Sequence, residues 1–146
     1  MDVALLAVAD VTRDARTLNL SRALLDAGLT VEVVGMTAAD SQQRALRRWW
    51  TFNKNVAARS LRPRLVVAMD LFALSAARSL SKTLNIPLLY DMREFYFALG
   101  PLAGKGIKQK ILASHERRLL HDVDDVIVSG ELDADIVKEH FELAKR

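Results

Sequence analysis

The stretch "RLVVAMDLFALSAARSLSKTLNIPLLYD", Arg64 to Asp91, holds the alternation that decides the fold. Its opening, Arg64 to Asp70, is apolar at every position between its charged ends, the pattern of a strand buried on both faces. "FALSAARSLSKTLN" then reads as a helix and "IPLLYD" as another short apolar strand. Strand, helix and strand in succession, with strands apolar throughout, indicate parallel pairing in a sheet covered on both sides.

Outward from this unit the same alternation recurs. "VALLAVA", Val3 to Ala9, is a continuous apolar run of strand length that ends at Asp10. In "DARTLNLSRALLDAG", Leu18, Ala23, Leu24 and Leu25 recur at helical spacing with Leu20 near them. Asp14 suits the N-cap of that helix and Gly28 its C-cap. "TVEVVGM", Thr30 to Met36, reads as the second strand. A helix is expected from about Lys105 to His121, a fifth strand in "DDVIVSG" (Asp124 to Gly130), and a last helix from Leu132 to about Leu143. The expected architecture is α/β, one Rossmann-like, doubly wound domain over residues 1–146. Its five strands are mainly parallel, in the order 3-2-1-4-5, with right-handed crossovers. Ligands of such sheets gather beyond the carboxyl ends of the strands, where Asp10, Asp70, Asp91 and Ser129 fall. For any one of the acids, capping the next helix is an equally good account.

Composition narrows the function class. The chain has 146 residues, 51% hydrophobic and 27% charged, with a mean hydropathy near zero, which suits one soluble domain with a proper core. No apolar run approaches the roughly 18–20 residues that span a bilayer. "MDVALLAVADVTRD" carries Asp2 where a secretory signal carries Lys or Arg, so it reads as a strand. With no cysteine there is no disulfide, thiolate metal site or catalytic thiol, and a cytoplasmic location fits. The formal charge of +3 is too small to argue for nucleic acid, but its distribution is uneven. Between Asp40 and Asp70 there is no acid, while Arg44, Arg47, Arg48, Lys54, Arg59, Arg62 and Arg64 fall there; from Glu116 onward the chain is acid-rich.

Several chemistries find no support. The turn after the first strand, "DVTRDAR", lacks the glycines of a dinucleotide fingerprint, and no Walker A sequence occurs. His115, His121 and His140 lie on expected helices; Leu119 breaks any H-E-x-x-H, and metal ligation is not expected. Gly130 follows Ser129 without forming a G-x-S-x-G elbow. Residues 41–60 read as a helix with Leu46, Trp49, Trp50, Val56 and Ala57 on one side and Arg44, Arg47, Arg48, Lys54 and Arg59 on the other. Its tryptophans either pack onto the sheet under a solvated basic back, or they help the helix to meet anionic lipid headgroups or a polyanion.

The set of motifs resembles the N-terminal half of retaining GT-B glycosyltransferases of family 4, the glycosyl transferases group 1 superfamily. "RDARTLNLSRALLDAGLTVEVVG" is similar to their first helix and second strand. "LRPRLVVAMDLFALSAARSLSKTLNIPLLYDMREFY" is similar to the segment that runs from "RPDVVHAHD" to "PLVYDSREL". "HERRLLHDVDDVIVSGELDADIVKE" is similar to their stretch around "ADAVIVVS". The resemblance implies an acceptor-binding domain that faces a donor-binding domain across a cleft. A sugar would pass there from a nucleotide-sugar donor to a glycan or lipid-linked acceptor, with retained configuration and no metal. It implies no cofactor here, since the nucleotide sugar would bind the second domain, which lies outside this chain. By the same resemblance Asp14 and Arg16 match a cleft-facing Asp-x-Arg, Asp70 ends the "HAHD" segment, and Asp91, Arg93 and Glu94 match "DSRE". Glu116 matches a helix acid and Ser129 the serine closing the fifth strand. The family's histidines fall at Val67 and Met69, and its glycine-rich first loop is absent, so no residue here is assigned as catalytic.

On this reading Asp91 and Glu94 accept from sugar hydroxyls, and Arg93 donates to a phosphate or carboxylate, unless Arg93 pairs internally with either acid. Phe95, Tyr96 and Phe97 offer faces for stacking, and "GPLAGKG", Gly100 to Gly106, is the connection beside them. The basic helix, with Trp49, would meet an anionic membrane at its inner face. Two alternatives remain at this point: a binding module that kept the fold without the chemistry, and half of an enzyme like the sugar-nucleotide epimerases.

Overall fold

The computed structural model describes residues 1–96 and 106–141, with side chains excepted for His140 and Phe141. Strands β1 (Val3–Asp10), β2 (Val31–Met36), β3 (Leu65–Ala68), β4 (Leu88–Asp91) and β5 (Asp125–Ile127) form one sheet whose neighbours all pair in parallel. Helices α1 (Ala15–Asp26), α2 (Ala38–Ser41), α3 (Ala45–Ala58), α4 (Leu71–Leu84), α5 (Gly106–Leu120) and α6 (Glu131–Phe141) connect and follow the strands. The Rossmann-like α/β class expected from the alternation is therefore what the chain adopts. Of the segment "GPLAGKG", residues 100–105 lie outside the described residues, as does Phe97.

Strand β1 sends its side chains into two cores. Ala4, Leu6 and Val8 point to one face, and Val3, Leu5 and Ala7 to the other. On the second face α1 lays Leu20 and Leu24 over Val67 and Met69 as well. The first, larger face takes Phe52 and Val56 of α3, Leu71 and Leu74 of α4, and Leu119 and Leu120 of α5. Phe52 is fully buried there and contributes about 1.5–3 kcal/mol relative to an exposed phenyl ring. Asp14 caps α1 through Thr17 N–H, and Gly28 follows the helix with φ +81°, a conformation that favours glycine.

One expectation is corrected. The strand order is β2-β1-β3-β4-β5, not 3-2-1-4-5. Residues 37–58, which would have returned over the α1 face to add a strand outside β2, instead form α2 and α3, and α3 packs on the opposite face. A right-handed crossover on the opposite face must carry the chain the opposite way. It therefore passes β1 and sets Leu65–Ala68 against the free edge of Val3–Leu6. The switch in direction lies between β1 and β3, and it still opens a crevice at the carboxyl ends.

Pairing of β1 with β2 slips between Leu6 and Asp10. Gly35 occupies that irregularity, where an added Cβ would lie 2.3 Å from Val11 Cγ1 and 3.0 Å from the Ala9 carbonyl oxygen. Val11 must therefore move if anything larger is placed there. Gly35→Ala is expected to destabilise the domain by roughly 1–3 kcal/mol, read as a lower denaturant midpoint with an unchanged slope.

Candidate functional site

Parallel pairing sends the ends of β1, β3, β4 and β5 to one rim, and the polar residues that follow them collect there. Asp91, the last residue of β4, is the hub. Side chains alternate along a strand, so Leu89 and Asp91 face α1 whereas Tyr90 faces the helices of the larger core. From α1, Arg16 donates both Nε and Nη2 to the two oxygens of Asp91, with Nε–Oδ2 at 3.0 Å. Its remaining Nη1 reaches Ser129 Oγ at 3.2 Å, beyond β5. Arg93 approaches Asp91 from the other side, Nε to Oδ2 at 3.7 Å, and donates Nη1 to Asp14 Oδ2 and Nη2 to Thr17 Oγ1, both at 2.6 Å. Thr17 in turn donates to Asp14 at 2.7 Å.

The result is two sets of charge-assisted hydrogen bonds, Ser129–Arg16–Asp91 and Arg93–Asp14–Thr17. They are joined by the Arg93–Asp91 ion pair at 3.7 Å, in which the buried Arg93 Nε has no hydrogen-bond partner among the described residues. Burial acts to raise the Asp14 carboxyl, but the bonds from Thr17 and Arg93 outweigh it and hold it below the ordinary range. Asp70 caps α4 through Ala73 N–H at 2.9 Å. Its carboxyl is raised, chiefly by burial, although the bonds from Ala73 and Phe72 N–H and the nearby charge of Arg93 oppose the shift. Asp14, Arg16, Asp70, Asp91, Arg93 and Ser129 thus share one rim, with Arg93 within electrostatic range of Asp70. Arg93 is spent on internal partners, and the Asp91 side chain is 1% exposed. Facing solvent at the rim are Glu94, Ser129 and the 35%-exposed edge of Arg16. Phe72 and Tyr96 meet edge to face at 5.6 Å, so Tyr96 offers one aromatic wall there.

Two elements escaped the sequence reading. Thr17 is fully buried and completes the Arg93 site; its place three residues after an N-cap Asp was the available signal. Tyr90, on the opposite face of β4, donates its hydroxyl to Glu116 Oε1 at 2.7 Å. Glu116 is fully buried, and Oε2 has no partner among the described residues. Burial pushes its carboxyl from 4.5 up to about 7, against the opposing bond from Tyr90. Tyr90 is itself raised, by burial first and then by Glu116. Val67 and Met69, where the resembling family has histidines, are core residues beneath α1.

The basic helix α3 differs from its expected wheel. Phe52 and Val56 are its buried residues, Trp49 is half-buried, and Leu46, Trp50 and Ala57 point outward. The reason is spacing: the inward stripe runs through 49, 52 and 56, which leaves the i, i+4 row of 46, 50 and 54 on solvent. Lys54 Nζ lies 5.4 Å from the Trp50 ring centre. Arg48 Nη1 bonds the Ser41 carbonyl at 3.1 Å, and Arg59 reaches Glu32 at 3.4 Å. Arg44 is the N-cap residue, and Arg44 and Arg47 are exposed. Among the described residues no group of three or more His, Asp or Glu converges to hold a metal ion, and no helix is long and apolar enough to cross a membrane.

The fold is a Rossmann-like α/β domain with a polar rim at its strand ends, an Asp-x-Arg opening the first helix and an Asp-x-Arg-Glu closing the fourth strand. Residues 1–145 match the glycosyl transferase 4-like domain, and the chain belongs to that family, the N-terminal domain of family 4 GT-B glycosyltransferases. No curated protein and no solved structure matches the chain significantly.

The hub orders two substitutions. Arg16→Ala leaves a buried carboxylate with its nearest cation at 3.7 Å, and it is expected to cost roughly 1.5–3 kcal/mol in urea denaturation. Adding Asp91→Ala removes the stranded charge, so the double variant should be less destabilised than Arg16→Ala alone. A double variant as unstable as the sum of the singles would mean that the pair carries no coupling.

Glu116 sets a pH dependence of defined sign. A carboxyl whose folded pKa is raised binds more protons in the folded than in the unfolded chain between pH 4.5 and about 7. Stability from this group is therefore lost as pH rises through that window. Glu116→Gln should remove the loss, gaining on the order of 3 kcal/mol over wild type at pH 8 and little at pH 4. Denaturation midpoints of both proteins across that range test it, and a constant difference would contradict it.

Proposed function

We propose that this domain binds the acceptor for a retaining glycosyltransferase that moves a sugar from a nucleotide-sugar donor to a glycan or lipid-linked acceptor. The observation that carries the reading is the convergence of Asp14, Arg16, Asp70, Asp91, Arg93 and Ser129 on the carboxyl rim of a glycosyl transferase 4-like domain. In the reaction the bond from the sugar's anomeric carbon to the nucleotide's phosphate breaks, and a bond to the acceptor oxygen forms while that oxygen loses its proton. The donor belongs to a second domain facing this rim, because the first loop here, Val11 to Asp14, has no glycine to let backbone N–H groups approach a diphosphate.

The acceptor's work falls to the exposed edge of the network. Glu94 accepts from sugar hydroxyls, Ser129 donates or accepts, and Arg16 turns its free side towards a phosphate or carboxylate on the acceptor. Asp91, Arg93 and Asp14 hold those groups in place and carry no chemistry themselves. A polar contact held on a locked guanidinium loses little side-chain freedom on binding, which favours affinity. The basic side of α3 attracts an anionic membrane or a polyanionic acceptor, worth about 1 kcal/mol per Lys or Arg near the surface and screened within about 8–10 Å. A cytoplasmic enzyme held at the inner face of the membrane fits this charge.

The purified 146-residue chain should bind acceptor saccharides that bear an acidic group, detected by ligand-observed NMR, and should turn over no nucleotide sugar. Glu94→Gln should weaken that binding by about tenfold, the worth of one hydrogen bond to a charged group. Turnover by the chain alone would place the donor site within it and overturn this reading. Binding that ignores Glu94 and Arg16 alike would move the acceptor away from this rim.

A further inference from the structure

We propose that the first two turns of α3 and of α5 form a single docking edge, which inserts Leu46, Trp50, Ile107 and Ile111 into an anionic lipid surface. The argument begins with direction. In a parallel sheet the connecting helices run back against the strands, so α3 and α5 both begin at the rim where the strands end. Helix α4 lies between them, in contact with each. At packing distances of 8–10 Å per pair, the two helix starts stand roughly 16–20 Å apart on the same layer.

Both starts are apolar where a monomer has no use for apolar groups. Leu46 is 84% exposed, Trp50 60%, Ile107 78% and Ile111 62%. Each pair is spaced i, i+4, so each forms one outward row. The four are framed by cations. Helices α3 and α4 contain no acid, and the one acid of α5, Glu116, is fully buried. Exposed Arg44, Arg47 and Lys54 flank the α3 row, with Lys54 over the Trp50 ring; Lys108, Lys110 and Arg118 flank the α5 row. A shallow groove of about 420 Å³ runs along α5 between Ile107, Ile111, Lys110 and Arg118. Glu94, exposed at the rim, stands outside these helices.

Helix α6 provides the contrast within the same molecule. Its exposed Leu132 lies among Glu131, Asp133, Asp135 and Glu139, a setting that an anionic surface repels. Apolar exposure on its own therefore does not single out the edge; apolar rows joined to unopposed positive charge do. A dissolved polyanion would use the cations alone and gain nothing from two outward isoleucines. A lipid interface uses both, since apolar side chains sink about 5–10 Å while Lys and Arg remain among the headgroups. The edge adjoins the rim, so an acceptor anchored in that same bilayer would meet the rim directly. This last step, unlike the docking itself, rests on the acceptor-binding function proposed above.

Co-sedimentation of the full chain with phosphatidylcholine vesicles, with and without phosphatidylglycerol, at low and high salt, tests the edge. Binding is expected to the anionic vesicles only and to weaken with salt. Ile107→Asn/Ile111→Asn and Leu46→Gln/Trp50→Gln should each lower vesicle affinity by at least about tenfold while circular dichroism stays unchanged, because all four side chains are exposed. Arg44→Gln/Arg47→Gln should weaken anionic binding and flatten its salt dependence. Wild-type affinity in the Ile107/Ile111 variant would overturn the two-helix edge and leave α3 acting alone. Equal binding to neutral vesicles, binding to heparin with none to vesicles, or binding to neither would also overturn it. Docking that survives alongside an acceptor-blind rim would instead sink the acceptor reading and leave this edge standing.

Discussion

The rest of the rim depends on a carboxylate sealed at the end of a strand. Asp91 is 1% exposed, and a buried charge of that kind persists only when its oxygens are fully engaged. Arg16 meets it with two parallel bonds, which fixes direction as well as distance. Because Arg16 sits in the first turn of α1, that pair sets where α1 begins relative to β4. Its third contact, to Ser129, then ties in the segment after β5. Arg93 repeats the logic one step along, using its own strand-end position to hold Asp14, the cap of the same helix. Three segments far apart in sequence are thereby locked by two guanidiniums and two carboxylates of balanced charge.

The opposite side of the same strand makes a different use of burial. Tyr90 points away from Asp91 and meets Glu116, an acid for which the described residues supply a single hydroxyl and no cation. Desolvation wins, and the carboxyl moves up to about 7. Two buried carboxyl groups thus lie on opposite sides of β4: Asp91, on the strand itself, has cations from two directions, and Glu116, on α5 and met by Tyr90, lies in an apolar layer. Period-2 alternation alone separates them, since Asp91 faces the helix that carries Arg16 and Tyr90 faces the helix that carries Glu116.

Much of this was legible in the sequence, and what was not has identifiable physical causes. The apolar runs at Val3, Leu65 and Leu88 are buried strands because a sheet covered on both faces needs no polar alternation, whereas β2, at the sheet edge, buries only Val34 and Met36. Strand ends pointed to Asp70, Asp91 and Ser129 at the rim, while Asp14, Arg16 and Arg93 were singled out by the family resemblance. Strand order was not legible, because local pattern shows where a helix lies along the chain and not which face of the sheet it covers. The wheel over 41–60 erred for a related reason. It weighted two tryptophans above Phe52, whereas the core took the Phe52 ring and left Trp50 and Leu46 outside. Pairings such as Arg93 with Thr17 escape altogether, since a threonine inside a helix looks like any other until the strand that delivers the arginine is placed beside it.

That same face assignment gives the molecule its sidedness. Among the described helices α1 covers one face, and α3, α4 and α5, with Val137 of α6, pack on the other. Had residues 37–58 returned over the α1 face, the cations of α3 would have lain beside Arg22 and Asp26, apart from those of α5. Placing them across the sheet joins α3, α4 and α5 into one layer whose only acid is buried. The strands end at the rim and the helices of that layer begin there, so parallel topology brings the polar network and the cationic, apolar-tipped helix starts to the same end of the domain. The early crossing of the chain past β1, which the local pattern did not reveal, is therefore what gives the rim a positively charged neighbour.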